Sequence, residues 1–500
     1  MKIDQQLIQY WDEEIRPRFS RRALDVKVRL LNGEKVRYVN LDNAATTIPF
    51  KEVIKKSALE FILYGSVHRG AGFKSKWSTD RYEEARESIR EFVNGKPESE
   101  GHYVNFVPNT TVGMNNLAYY FANIAGKVLV SDIEHSSSSL PWVIQEGYKR
   151  TNEQVDKERI RNGNARDLRE IVQQRGKEQV ITYRTRDDFT FDLDDIDRTL
   201  REQKEKGSQE EIKVLVVTGA SNVTGYKPPL KGLAELAHKY GAWIVVDGCQ
   251  LLQHERIDMQ EADLDFVVFS GHKMYASFGS GAIIGDRRVL DLMPPRDVGG
   301  GNLPYINADG RVVWEKNNIT HDPGTPNFVG ARAIHHAIQE LKSIGLDKIA
   351  QYEHALVEYA FTELGKINGV VVYNGRNPDG SFDRGLLTFN IKGLPHKLVA
   401  EVLNTEYGIG TRAGAYCVYE FSRRVNHTTK EKDTVISKEV EQGKTANIPG
   451  SVRASFAMYN SIEDVDRLAT ALKEIARNGM NDYDKKYFKS PKTGDWSPRK

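Results

Sequence analysis

Four apolar runs recur between residues 127 and 271: KVLVSD, KVLVVTG, AWIVVDG and DFVVFSG. Each is four or five residues long and is stopped by a small, polar or acidic residue. Such runs read as strands covered on both faces. YVNFVP, from Tyr103, is a fifth. Helical patterns separate them, TVGMNNLAYYFANI after YVNFVP and LKGLAELAHKY ahead of AWIVVDG. Strands of this kind alternating with helices predict an α/β domain with a largely parallel sheet. That architecture also says where to look for chemistry, because ligands of open α/β sheets bind beyond the carboxyl ends of the strands.

The rest of the chain suggests a second unit. With 500 residues and 39% hydrophobic content, more than one core can be buried. Residues 1–36 read as an N-terminal helical segment that joins the smaller domain, and Val36 to Leu41 as a short strand. Residues 37–330 form the large domain, with helices over 50–64 and 78–94 and a charged, solvated helical excursion at about 149–178. Residues 331–478 form a smaller α+β domain. Within it, 421–450 is polar and without periodicity, which predicts a mobile loop. Residues 479–500 read as a frayed polar tail.

Lys+Arg 71 against Asp+Glu 69 is nearly balanced, so neither nucleic acid nor a membrane surface is called for as a partner. The N-terminus is charged, with no apolar stretch of a secretory leader, and no apolar run is long enough to span a bilayer. Two cysteines, Cys249 and Cys417, are too few for a disulfide framework. A cytoplasmic, reducing setting is the expectation.

Applied to the strand ends, the α/β rule brings two groups to one rim. AWIVV ends on Asp247-Gly248-Cys249-Gln250, and the next strand, DFVVF, ends on Ser270-Gly271-His272-Lys273. An aspartate beside a pyridine nitrogen keeps it protonated, and a lysine amine condenses with an aldehyde. That pair is what pyridoxal phosphate requires. Partial desolvation at such a rim frees a lysine amine to act as nucleophile and base. VPNTTVGMNN passes from strand to helix with Thr110 and Thr111 at the turn, where backbone N–H groups suit a phosphate. Each feature has a plainer reading alone: a turn cap, a surface lysine, an ordinary helix cap. Their order along the chain and their strand-end positions favour the joint reading.

The stretches YVNLDNAATT, GSVHRG, NTTVGMN, SDIEHSSSSLPW, SNVTG, HKYGAWIVVDGCQ, DFVVFSGHKMY, MPPRDVGGGN, GTPN, TRAGAYC and RASFAMYN resemble the class V aminotransferase superfamily of fold-type I pyridoxal phosphate enzymes. The resemblance runs from about residue 38 to 475 and lies in the cysteine desulfurase and selenocysteine lyase branch. It implies a large domain with a mostly parallel seven-stranded sheet and a homodimer with shared active sites. Lys273 is then the Schiff-base lysine. Asp247 pairs with the pyridinium nitrogen, Gln250 with the ring hydroxyl, and His135 stacks on the ring. Asn222 lies beside cofactor and substrate. Thr110, Thr111, Ser270 and His272 hold the phosphate, and Thr325 reaches the phosphate of the partner subunit. Arg453 clamps the substrate carboxylate, a task suited to a bidentate guanidinium.

Cys249 follows a buried strand and reads as a small core residue. Cys417 matches the desulfurase pattern Arg-x-Gly-x-x-Cys through Arg412 and Gly414. The resemblance makes it the acceptor of sulfur from L-cysteine, leaving alanine and a persulfide that a protein acceptor can take. The chemistry needs a thiolate in an exposed, electropositive place, to which Arg412 contributes. The chain departs from the pattern in carrying Tyr416 where many relatives have histidine, and in the length between Cys417 and Arg453. Two other readings stay open on the sequence. One is another enzyme of the superfamily (an aminotransferase, an epimerase, or a selenocysteine or carbon–sulfur lyase) in which Cys417 is not catalytic. The other is a cofactor-binding scaffold without turnover.

Overall fold

The computed structural model describes residues 3–151, 161–162, 168–373 and 385–499. Seven strands form the expected sheet: β1 (His102–Val107), β2 (Lys127–Ser131), β3 (Val180–Tyr183), β4 (Ile212–Thr218), β5 (Trp243–Asp247), β6 (Phe266–Ser270) and β7 (Gly281–Asp286). Their order is β1-β7-β6-β5-β4-β2-β3. The four pairs from β6 to β3 are parallel, and β7 runs antiparallel between β1 and β6. The apolar runs are continuous because the sheet has a core on each face. Val214, Val216, Val245, Phe266 and Val268 face one core. Leu215, Val217, Ile244, Val246, Val267 and Phe269 face the other. Strand β4 is buried at every residue.

Two helices lead away from the strand ends. α1 (Thr110–Phe121) is capped by Asn109, whose side chain accepts from the Val112 N–H at 3.0 Å. α1 presses close to the sheet: a Cβ on Gly113 would stand 2.5 Å from Val268 Cγ1. α2 (Ser136–Lys149) follows β2 and is capped by His135. It is tied to β4 by a buried ion pair, Glu146 to Lys213 at 2.5 Å. At its far end the charged excursion is solvated on one face, as expected, and packed on the other through Val172 and Gly176. There α3 (Arg169–Lys177) crosses α2 so closely that a Cβ on Gly176 would stand 1.7 Å from the Val143 carbonyl oxygen. Residues 152–160 and 163–167 of that excursion lie outside the described residues.

The second sheet is antiparallel, with β8 (Val370–Val372), β9 (Leu386–Ile391), β10 (Arg412–Gly414) and β11 (Ser451–Ser455) in the order β8-β9-β11-β10. The N-terminal segment packs on this half, with Trp11 Nε1 donating to the Met458 carbonyl at 2.8 Å. The strand expected over Val36 to Leu41 is divided. Lys35–Arg37 pairs with Lys27–Arg29, and Val39–Asn40 pairs in parallel with Ile409–Gly410. The helix expected over 78–94 begins earlier, at Phe73, and ends at Phe92.

Two expectations are overturned. Residues 421–450 are not a loop: α4 (Tyr419–Val425) and α5 (Lys430–Glu441) occupy most of them. α5 is held by its ends. Thr429 caps it, Glu431 and Asp433 stand in its first turn and Lys438 in its last, while Ile436 is its one buried residue. The tail is not frayed. α6 (Met480–Lys486) leads into a hairpin of Tyr487–Lys489 with Trp496–Pro498. Tyr483, Tyr487 and Trp496 are buried in the main core, and Lys397 Nζ donates to Asp495 Oδ1 at 2.8 Å.

Candidate active site

The carboxyl ends of β5 and β6 lie side by side, with Val246 opposite Val267 and Asp247 opposite Val268. Asp247 is buried, and both carboxylate oxygens are engaged. Ser138 Oγ donates to Oδ2 at 2.5 Å and the Cys249 N–H to Oδ1 at 3.0 Å. These bonds fix the carboxylate from α2 and from its own turn. Beyond β6 the chain makes one tight turn, Gly271–Lys273, with Lys273 half-buried. The turn is gripped by the DNAATT segment: the Thr47 N–H donates to the His272 carbonyl at 3.1 Å, and Thr47 Oγ1 to the Lys273 carbonyl at 3.2 Å.

The expected phosphate donors assemble at the start of α1. The Thr110 N–H and Thr110 Oγ1 each lie 2.8 Å from Ser270 Oγ, and Thr111 Oγ1 lies 2.8 Å from Ser137 Oγ. Thr110 and Ser270 are buried and Thr111 is exposed. Burial, with Lys273 alongside, holds the His272 imidazole down at about 4, so the ring is neutral near pH 7. Its Nδ1 lies 3.3 Å from Thr46 Oγ1.

His135 is the meeting point of the site's charges. Burial lowers its pKa. Asp247 opposes that, and Lys273, Arg453 and Arg412 reinforce it. Its Nδ1 accepts from the Ser137 N–H at 3.1 Å, an assignment that leaves the proton of the neutral ring on Nε2. Just before it, Glu134 accepts from Ser131 Oγ at 2.8 Å and from the Thr218 N–H at 3.1 Å. Burial, with Asp247 and Asp132 nearby, pushes the Glu134 carboxyl up to about 8, so it is protonated at neutral pH. Gln250 is buried and donates to the Ala44 carbonyl at 2.8 Å.

The second sheet supplies the opposite wall. Arg412 and Arg453 are register partners on β10 and β11. Arg453 is fully buried. It donates through Nη1 to the Asn222 carbonyl at 2.9 Å and through Nη2 to Asp42 Oδ1 at 3.2 Å, while Nε has no partner among the described residues. Burial lowers the Arg453 pKa, opposed by Tyr416 and Asp42. Arg412 is half-exposed, 3.8 Å from Asp42 Oδ2. Tyr416 lies under Arg453, guanidinium to ring centre 4.9 Å, and its hydroxyl donates to the Ser451 carbonyl. The Tyr416 carbonyl accepts from Asn222 Nδ2 at 2.9 Å. Cys417 is exposed, and its carbonyl accepts from the N–H and Oγ of Ser136, at 2.9 and 2.8 Å.

Of the residues singled out from sequence, Lys273, Asp247, His135, Thr110, Thr111, Ser270, His272, Gln250, Asn222, Arg453, Arg412 and Cys417 are thus linked around one rim. Thr325 is not. It lies exposed on the loop ahead of the helix Phe328–Ile344. Cys249 is half-buried, not a core residue, because its turn must present a backbone N–H to Asp247. Sequence reasoning missed Asp42, Ser136, Ser138, Glu134 and Thr47. The segments DNAATT and EHSSSS were visible, but the contacts that use them are long-range.

The arrangement fits pyridoxal phosphate. An amine and an oriented carboxylate stand at neighbouring strand ends, hydroxyls and a helix N-terminus lie to one side, and a buried guanidinium with a free Nε lies opposite. A profile of the Aminotransferase class-V family matches residues 39–185 and 189–468. The chain is 31% identical over 450 residues to a probable cysteine desulfurase of Halalkalibacterium halodurans, covering 89% of this chain and 94% of that one. It is 29% identical over 455 residues to a cysteine desulfurase of Escherichia coli O8, covering 90% and 95%. Among solved structures, the apo cysteine desulfurase of Thermococcus onnurineus NA1 superposes with a TM-score of 0.70 at 24% identity, over 88% of this chain and 95% of that one. The cysteine desulfurase CsdA of Escherichia coli, in an S-sulfonic acid form, gives 0.67 at 26% identity, over 87% and 94%. The extent of these matches, together with the strand-end lysine and aspartate, makes the chain a member of the class V aminotransferase family, in its cysteine desulfurase branch.

Proposed function

We propose that this chain is a pyridoxal phosphate-dependent cysteine desulfurase, which converts L-cysteine to L-alanine and leaves the sulfur as a persulfide on Cys417. When bound, the cofactor supplies an aldehyde for covalent capture of an amine and an electron-withdrawing ring. Lys273 would offer the amine for that capture and the base for the substrate Cα proton. Asp247, oriented by Ser138 and the Cys249 N–H, would hold a proton on the ring nitrogen. His135, Gln250 and Asn222 would hold the ring. Thr110, Thr111, Ser270 and neutral His272 would hold the phosphate by hydrogen bonds. Arg453 binds the substrate carboxylate, its buried Nε, without a partner among the described residues, supporting that role.

The Cys417 thiolate then attacks the substrate sulfur. A sulfur–sulfur bond forms as the carbon–sulfur bond breaks, the carbon skeleton keeps the electron pair, and protonation yields alanine. What carries this reading over other reactions of the family is the position of Cys417. It is exposed, its backbone is bonded to Ser136 beside His135 at the N-terminus of α2, and Arg412 stands on the strand that leads into its turn.

A homodimer with shared sites belongs to the same reading. Phe61, Ile62 and Phe73 are 57%, 67% and 72% exposed, an apolar patch that asks for cover. Tyr64 beside it packs on Phe328, three residues after exposed Thr325. This supports Thr325 reaching the partner's phosphate. A protein acceptor for the persulfide, and a cytoplasmic setting in which Cys417 stays reduced, belong to the same proposal. The division into a large domain over 37–330 and a small domain over 331–478 accompanies it, with the site between them. Purified protein supplied with pyridoxal phosphate and L-cysteine should form alanine and sulfide in equal amounts with a reductant present. Cys417→Ala should keep the cofactor absorbance and lose both products; undiminished sulfide release from that variant would defeat the proposal.

A further inference from the structure

We infer that Arg424 is a positioning residue for Cys417, fastening the helix after the cysteine to the same short segment that holds the cysteine's own carbonyl. The inference rests on the desulfurase reading and adds to it a device that sets where the thiol stands.

Tyr416 and Cys417 both have left-handed backbone conformations, φ 53° and 60°. Neither is glycine, so the turn needs outside support to persist. Upstream, the Tyr416 carbonyl and hydroxyl are bonded to Asn222 and Ser451. Downstream the chain enters α4, seven residues long and too short to be stable alone. Its stability must come from what it packs on. Phe421 is fully buried, 4.8 Å between ring centres from Phe189. The Arg424 guanidinium lies 4.3 Å above the Phe189 ring. Its Nη1 donates to Asp132 Oδ2 at 3.2 Å and to Thr185 Oγ1 at 2.7 Å, and its Nη2 to the Arg186 carbonyl at 2.5 Å. Asp132 is itself fixed, since its Oδ1 accepts from the Thr185 N–H at 3.1 Å and from Thr185 Oγ1 at 2.8 Å.

Asp132 is the residue after β2, and Ser136 lies four residues on. The Cys417 turn is therefore tied twice to the segment 132–136, by Ser136 at its carbonyl and by Arg424 through α4. His135 sits on that segment between the two ties. The double attachment keeps thiol and imidazole in register across the gap between the two sheets.

The test uses the holoenzyme and its Arg424→Gln and Arg424→Lys variants, with Asp132→Asn as a second route should Arg424→Gln fail to fold. Two readouts are taken on each: alkylation of Cys417 by iodoacetamide, located by mass spectrometry, and kcat and KM for alanine formation. Arg424→Gln should alkylate several-fold faster. It should lose about ten- to a hundredfold in kcat, with KM for cysteine and cofactor absorbance near the parent's. Arg424→Lys should recover part of the loss, and Asp132→Asn should follow Arg424→Gln with a smaller loss. Parental alkylation rate and parental kcat in Arg424→Gln would overturn the inference, and so would a loss confined to KM. Should the parent make no alanine, the desulfurase reading fails, while the alkylation comparison still decides whether Arg424 braces the cysteine.

Discussion

Replacing Glu146 by glutamine probes the helix on which the site is built. Glu146 lies on α2, which presents His135, Ser136 and Ser138. Its carboxylate meets Lys213 Nζ at 2.5 Å with side chains 2% and 1% exposed, and Arg150 is its second cation. Glutamine keeps the shape and removes the charge. Lys213 then either stays charged without a counter-ion or sheds its proton, keeping its bond to the Ile124 carbonyl. Shedding at pH 7, from the ordinary value of 10.5, costs about 4.8 kcal/mol. This agrees with the about 3–5 kcal/mol that follows removal of one partner of a buried pair. For a cooperative unit of about 300 residues, that is a fall of about 5–8 °C in melting midpoint. The sign of the pH dependence follows. In the parent, burial already lowers the Lys213 pKa, opposed by Glu146; without that charge it falls further, so in the variant the unfolded state binds more protons and stability rises with pH. The defect relative to the parent should therefore be smaller at pH 9 than at pH 7. Melting followed by tryptophan fluorescence, at pH 7 and pH 9, measures both effects, and the added change Lys213→Met should remove most of the defect. A fall below about 1 °C, or one of equal size at both pH values, would refute the reasoning.

Three further outcomes are expected. Burial holds His272, His321 and His396 at about 4 and His335 at about 3, all below the ordinary 6.5. The unfolded chain therefore takes up protons first. Stability is intact above about pH 6.5 and is lost toward pH 4, each ring withdrawing about 1.4 kcal/mol by pH 5.5. A melting midpoint that stays flat down to pH 5 would contradict this. Asp247→Asn keeps acceptor geometry toward the Cys249 N–H and should cost about 1–2 kcal/mol of stability while lowering turnover about ten- to a thousandfold, since a neutral amide no longer favours a protonated ring nitrogen. Parental turnover in that variant would remove Asp247 from its role. Gly176→Ala sets a Cβ against the Val143 carbonyl oxygen and should cost about 1–3 kcal/mol as α2 and α3 part; an unchanged melting midpoint would mean the crossing has room.

The central sheet was legible because burial on both faces makes its strands continuous apolar runs, and the residues at and just past their ends announced Asp247 and Lys273. Elsewhere the sequence carried less signal. α5 buries only Ile436, so no apolar period marks it, and its support lies in Thr429, Glu431, Asp433 and Lys438 at its ends. The tail is ordered by Tyr483, Tyr487 and Trp496, too widely spaced to make a pattern, against partners such as Thr405 and Lys397 far back in the chain. Asp42 escaped notice for the same reason, because its partners, Arg412 and Arg453, lie on another sheet. The position of Tyr416 takes on meaning only with its hydroxyl on Ser451 and its ring under Arg453.

The most direct test of the account is to find the sulfur. Holoenzyme mixed with one equivalent of L-cysteine, without reductant, is trapped with iodoacetamide and digested, and the peptide containing Cys417 is weighed. One extra sulfur atom is expected on Cys417, matched by one alanine released, with no such adduct on Cys249. Alanine formed with Cys417 unmodified, or the adduct on Cys249 alone, would contradict it.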